Sequence, residues 1–197
     1  MCTNILNLVK KNTMKKLFIV LAIAVSATAA AYAQPTPSLS THPKDAKPIA
    51  SPRDSVVATL QNGTIITMTY GSPGVWGRTM GKDLDPMEDS VWRAGANEAT
   101  TFAVDRDVMI EGQKLPAGRY AFFTIKHGNE WTLIFNKTWN TWGAYSYKQN
   151  MAQDALKVKV QQMDAPGYYN ERLKYVIGPD GNVYMMWGPA VVMFKVS

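Results

Sequence analysis

Residues 55–70 hold Val56, Ala58 and Leu60 in alternation, then the dipeptide Asn62-Gly63, then Ile66, Met68 and Tyr70 in alternation again. A period of two puts each set on one face of an extended strand. Asn-Gly between two such runs is the strongest short-range hairpin signal, and it predicts positive φ at both turn residues. The same grammar runs to the end of the chain. Apolar runs over residues 99–104, 108–110, 119–126, 131–136, 156–161, 172–177, 183–187 and 191–196 are parted by Glu111-Gly112, Pro116-Ala117-Gly118, His127-Gly128-Asn129 and Pro179-Asp180-Gly181-Asn182. Only residues 147–156 and 168–173 leave room for a helical turn, and no internal repeat is present. Eight or more short strands at such spacing predict an all-β chain, an antiparallel β-sandwich or a partly open barrel.

The first quarter of the chain follows a different logic. Lys15-Lys16 precedes an apolar run over residues 17–25, small residues follow, and Ala31-Tyr32-Ala33 stands before Gln34. These are the basic, apolar and cleavage regions of a secretory leader in order. The run is softened by Ser26 and Thr28 before it reaches the roughly 20 residues of a membrane span. We therefore expect a signal peptide over residues 1–33, with translation starting at Met14. Pro35, Pro37, Pro43, Pro48 and Pro52 mark residues 34–52 as a flexible linker. Residues 53–197 are then one β-domain, located in the periplasm or secreted.

Charge and cysteine usage narrow the function classes. The formal net charge is +6, but four of the 21 basic residues precede Gln34 and no acidic residue does, leaving 17 against 15 in the exported part. That balance is too even for a nucleic-acid footprint. The single cysteine, Cys2, lies before the apolar run, so it cannot carry a lipid anchor after that run. The exported part then has neither a disulfide framework, nor a thiol nucleophile, nor a thiolate metal site.

Enzyme signatures are sparse. No G-x-S-x-G, H-E-x-x-H or Walker sequence occurs, and Gly74-Val75-Trp76-Gly77-Arg78 lacks the residues of a phosphate loop. His42 falls in the Pro-rich segment and His127 in a turn, so neither has a partner to orient it as a base. Asp83, Asp85, Glu88 and Asp89 cluster in the long irregular stretch 71–90 without the spacing of a calcium loop. The densest polar constellation is Trp92-Arg93-Ala94-Gly95-Ala96-Asn97-Glu98, where Arg93 and Glu98 are placed to pair and Asn97 to satisfy a bend. Aromatic residues gather in Trp139-Asn140-Thr141-Trp142-Gly143-Ala144-Tyr145, which is not a strand pattern.

With its motifs Val91-Trp92-Arg93-Ala94-Gly95-Ala96-Asn97-Glu98-Ala99-Thr100-Thr101, Leu115-Pro116-Ala117-Gly118-Arg119-Tyr120, Trp131-Thr132-Leu133-Ile134-Phe135-Asn136-Lys137 and Trp142-Gly143-Ala144-Tyr145, the chain resembles the secreted bacterial envelope proteins grouped as domain of unknown function 2911. The resemblance spans residue 51 to about Val160. It implies a secreted β-rich domain and brings no established activity, cofactor or catalytic residue. Where the family's loop usually reads Arg-Pro and later Lys-Gly-Arg, this chain has Ser72-Pro73 and Trp76-Gly77-Arg78, so that only Arg78 of the three basic positions stays.

The expected function is non-catalytic binding of a polar or glycan-like ligand at the cell envelope, through Arg78, Arg93, Asn97 and Glu98 with the rings of Trp76, Trp142 and Tyr145. No catalytic residue, metal or cofactor is assigned, and neither nucleic-acid binding nor stable membrane insertion after leader removal is expected. Two alternatives stand beside it: a glycan hydrolase using Glu98 with Asp83, Asp85 or Asp89, since glycosidases need two carboxylates, and a structural envelope protein in which the same residues form a buried network. Expressed with its own N-terminus in a Gram-negative host, the protein should appear in the periplasm starting at Gln34 or its cyclised form. Intact Met14 in the membrane fraction, seen by N-terminal mass spectrometry, would contradict this.

Overall fold

The computed structural model describes residues 50–197; the expected leader and most of the Pro-rich segment lie outside the described residues. Twelve strands are formed: β1 (Arg53–Thr59), β2 (Ile65–Gly71), β3 (Val91–Trp92), β4 (Thr100–Val104), β5 (Val108–Ile110), β6 (Gln113–Leu115), β7 (Gly118–His127), β8 (Glu130–Asn136), β9 (Asp154–Gln161), β10 (Asn170–Ile177), β11 (Asn182–Gly188) and β12 (Ala190–Lys195). The short helix α1 (Tyr147–Asn150) and a 3-10 turn at Met151–Gln153 are the only helix among the described residues. The stretch 168–173, with room for a helical turn by sequence, instead leads into β10.

The main sheet runs β1-β2-β4-β7-β8-β9, and β3 also pairs with β7; β10-β11-β12 form a second sheet and β5-β6 a ribbon. All ladders are antiparallel and neither sheet closes into a barrel, so the chain is an all-β sandwich. Alternation along β7 sets the layers. Tyr120 and Phe122 face the core shared by the two sheets, whereas Ala121 and Phe123 face outward under Tyr147. Aromatic contacts join the sheets, with Phe122 stacked on Phe194 at 5.7 Å, Tyr70 edge-on to Tyr175 at 4.7 Å and Trp92 stacked on Trp187 at 5.5 Å. Such pairs contribute about 0.5–1.5 kcal/mol each beyond their buried area.

The first hairpin departs from the expected turn. Gly63 N–H donates to the Leu60 carbonyl (2.9 Å) and Leu60 N–H to the Thr64 carbonyl (2.8 Å), which makes a longer loop. Only Gly63 has positive φ (+81°), because the bulge restores the strand twist that a two-residue turn obtains from two left-handed residues. Asn62 contributes its side chain instead, accepting from Thr64 N–H at 3.0 Å. The β10–β11 turn repeats this pattern, with Gly181 N–H on the Gly178 carbonyl (2.9 Å) and Gly178 N–H on the Asn182 carbonyl (2.8 Å). The two turns dock through Gln61 N–H on the Pro179 carbonyl at 2.9 Å. The last residues of the expected linker are also held to the domain, since the Pro52 carbonyl accepts from Ser72 N–H at 2.8 Å.

Gly181 is at φ +89°, and a Cβ there would collide with the Val196 carbonyl oxygen; Gly112 is at φ +76° with open space around it. Gly112→Ala should lose only the left-handed penalty of about 1–2 kcal/mol. Gly181→Ala should lose clearly more, since main chain must also move. Equal denaturation midpoints for the two variants would contradict the close approach of Gly181 to the Val196 main chain.

Candidate functional site

Strands β3 and β4 lie along the same edge of β7, Trp92 opposite Thr124 and Thr100 opposite Phe122. Residues 93–99 between them leave the sheet and return, closed by Thr100 N–H on the Arg93 carbonyl at 3.2 Å. The turn is possible because its inner residues are small. Ala94, Gly95 and Ala96 are buried, a Cβ on Gly95 would approach Thr100 Oγ1 to 2.7 Å, and one on Gly71 would collide with the Ala96 carbonyl. Ala94 and Asn97 take left-handed φ values of 52° and 66°, which costs on the order of 1 kcal/mol each. The Ala94 carbonyl offsets this by accepting both Thr100 Oγ1 (2.9 Å) and the Tyr175 hydroxyl (2.7 Å). Burial raises the Tyr175 hydroxyl well above the ordinary phenol range and pushes Tyr70 up to about 12, so both remain neutral donors.

This loop, the 71–90 segment and β11 border a half-open cavity of about 230 Å³, whose lining includes Arg78, Asp85, Trp92, Arg93, Asn97 and Trp187. Arg78 is fixed by its own loop, Nε donating to the Val75 carbonyl (3.1 Å) and Nη2 to the Gly74 carbonyl (2.8 Å). Trp92 Nε1 donates to the Gly95 carbonyl at 3.1 Å. Two neighbours are not so provided. Arg93 Nε and Trp187 Nε1 are buried and meet no acceptor among the described residues, and only one other buried side-chain polar atom shares that condition. Orphaned buried donors cost about 1–3 kcal/mol each, and these two lie beneath the lining, without access to the open space beside them.

Three of the seven expected site residues, Arg78, Arg93 and Asn97, are thus brought together. The others are placed elsewhere. Glu98 does not pair with Arg93; its Oε2 lies 3.2 Å from Arg53 Nη1, with both side chains about half exposed. Glu98 forms a bridge with Trp142, because Gly143 N–H donates to the Asn97 carbonyl (3.0 Å) and Ala99 N–H to the Thr141 carbonyl (3.0 Å). Trp142 and Tyr145 are exposed on that outer segment, which is anchored instead by Tyr147 on Phe123 at 5.2 Å. Trp76 stands beside the cavity with Arg78 and Arg172 over its ring at 5.7 and 5.3 Å. Arg172 Nη1 also donates to the Ser72 carbonyl (3.0 Å), so a cation from β10 reaches the loop that lacks two basic residues in sequence.

The acidic residues of the long loop diverge. Asp83 accepts from Thr79 N–H (2.9 Å) and Asp89 meets His127 Nδ1 (2.8 Å). Glu88 pairs with Lys126 and accepts from Gly128 N–H, and these two hold its carboxyl below the ordinary range, Lys126 contributing most. Asp85 alone of the four lines the cavity. Among the described residues no three His, Cys, Asp or Glu side chains are grouped to hold a metal ion. Trp187 escaped the sequence reading because Val183, Met185 and Trp187 alternate as an ordinary core strand.

A family model described as "Protein of unknown function (DUF2911)" matches residues 51–196. The chain belongs to this family. The match continues through the last three strands, beyond the Val160 limit of the resemblance read from sequence. No curated protein and no solved structure matches the chain. The DUF2911 domain therefore carries its fold without an assigned chemistry, and any function must be argued from the cavity itself.

An exposed ion pair contributes about 0–1 kcal/mol. Glu98→Ala should accordingly lower stability by no more than about that amount in chemical denaturation, whereas a loss of several kcal/mol would mean that Glu98 serves a buried charge.

Proposed function

We propose that this protein is a non-catalytic binding protein of the cell envelope that takes a small polar, glycan-like ligand into the cavity behind the 93–99 loop. The observation that carries the reading is the concave lining that brings Arg78, Arg93 and Asn97 together beside Asp85. A hydrolytic site would need two carboxylates facing one bond, and the lining includes one, Asp85. The volume lies below the roughly 300–1,000 Å³ of drug-sized sites, which suits a ligand of one ring or less.

A thermal-shift screen of sugars, organic acids and envelope fragments tests the reading, with Arg93→Gln as the diagnostic variant and circular dichroism as the check on its fold. At least one compound should raise the melting temperature of the wild type, and folded Arg93→Gln should lose most of that rise. A shift that persists in Arg93→Gln, or no shift with any compound, would overturn the proposal.

A further inference from the structure

We propose that a second surface, running from Trp142 across Glu98 and Arg53 to the edge of β1, binds a chain of neutral sugar units. It is separate from the cavity, whose lining includes none of these three residues, and it does not depend on the cavity's being occupied. Glu98 and Trp142 stand directly opposite each other as an antiparallel bridge. Its two hydrogen bonds, Ala99 N–H on the Thr141 carbonyl and Gly143 N–H on the Asn97 carbonyl, flank that pair instead of joining it. This is the narrow type of pair, which brings two side chains closest on one face. Trp142 is 61% exposed, the Glu98 and Arg53 side chains are 51% and 55% exposed, and 3.2 Å separates Glu98 Oε2 from Arg53 Nη1. All three groups therefore meet each other and solvent.

Arg53 also lines a shallow depression of about 380 Å³ with Asp54, Ser55 and Thr69. Ser55 and Thr69 are cross-strand partners in β1 and β2, and the Tyr70 hydroxyl holds the Asp54 carboxylate at 2.9 Å. An exposed indole, a carboxylate and a guanidinium thus lead into a hollow of hydroxyls and a second carboxylate. A sugar unit lays its C–H face on an aromatic ring, while its rim hydroxyls donate to carboxylates and accept from a guanidinium. Charge selects among such chains. Glu98 and Asp54 stand against the single cation Arg53, so a uronate chain or an anionic lipid surface would meet like charge. Three charged side chains at the middle of the surface also set it apart from the core of a protein interface, where charge is depleted. The clamped backbone presents the indole without ordering on binding. Tyr145, 78% exposed, adds a ring that lies over Gly143, where a Cβ would come within 2.9 Å of its Cε2.

Affinity electrophoresis tests the inference, in native gels cast with hydroxyethyl cellulose, dextran, galactomannan or the anionic polygalacturonate, beside flotation with phosphatidylcholine–phosphatidylglycerol vesicles. At least one of the three neutral polysaccharides should retard the protein. Trp142→Ala should weaken that affinity about tenfold at an unchanged melting temperature, and Glu98→Gln should weaken it as well, whereas Trp142→Tyr should keep most of it. Arg93→Gln, altered in the cavity, should be retarded like the wild type. No retardation by any neutral polysaccharide, or equal retardation of Trp142→Ala, would overturn the inference. Retardation lost in Arg93→Gln but kept in Trp142→Ala would assign glycan binding to the cavity, overturning this surface and leaving the binding role standing. Stronger retardation by polygalacturonate that depends on Trp142 would overturn the neutral assignment. Vesicle binding that depends on Trp142, with no retardation in any gel, would overturn the glycan in favour of a membrane surface.

Discussion

Two hydroxyl groups from opposite sheets converge on the carbonyl of Ala94, Thr100 from the main sheet and Tyr175 from the second. That carbonyl belongs to a residue at positive φ in a loop that has left its sheet. Without the two bonds a buried acceptor would be stranded and the backbone conformation would have no compensation. With them, the loop is tied to both layers at once. Arg93 is then set one residue before the anchor, and Asn97 three residues after it. Tyr175 is itself fixed, its N–H donating to the Tyr70 hydroxyl and its ring edge-on to Tyr70.

Much of the fold was legible in sequence because it depends on local rules. Period-two alternation and Gly-containing turns marked ten of the twelve strands close to their observed bounds, and missed only the short β3 and β6. Those two escaped because pairs or triplets of residues show no period; β3 exists through its tertiary pairing with β7. The Asn62-Gly63 hairpin was placed but its geometry was misread. A dipeptide signal does not distinguish a two-residue turn from the bulged form in which Asn62 acts through its side chain.

The site was only half legible, for a physical reason. A bend within residues 92–98 was expected, and Arg93 and Asn97 were recognised within it. Partners across the sandwich have no local signature. Glu98 meets Arg53 from 45 positions upstream, and the cavity wall is completed by Trp187, which in sequence is one more apolar residue of a strand. The exposed rings of Trp142 and Tyr145 attracted attention by composition, yet it is the buried indoles of Trp92 and Trp187 that border the cavity. Membership of the DUF2911 family adds no chemistry, so the grouping of Arg78, Asp85, Arg93 and Asn97 around one pocket remains the feature on which a function rests.

The central claim is that the Ala94 anchor builds the cavity, and Tyr175→Phe tests it most directly. The variant removes one hydroxyl and leaves Thr100 on the carbonyl, so the fold should survive with a loss of about 1–2 kcal/mol. In 1H–15N spectra of the variant, the side-chain N–H signals of Arg93 and Trp187 should move while the amides of β8 and β9 stay in place. Unchanged Arg93 and Trp187 signals would show that the loop is positioned by something other than this carbonyl and would contradict the account.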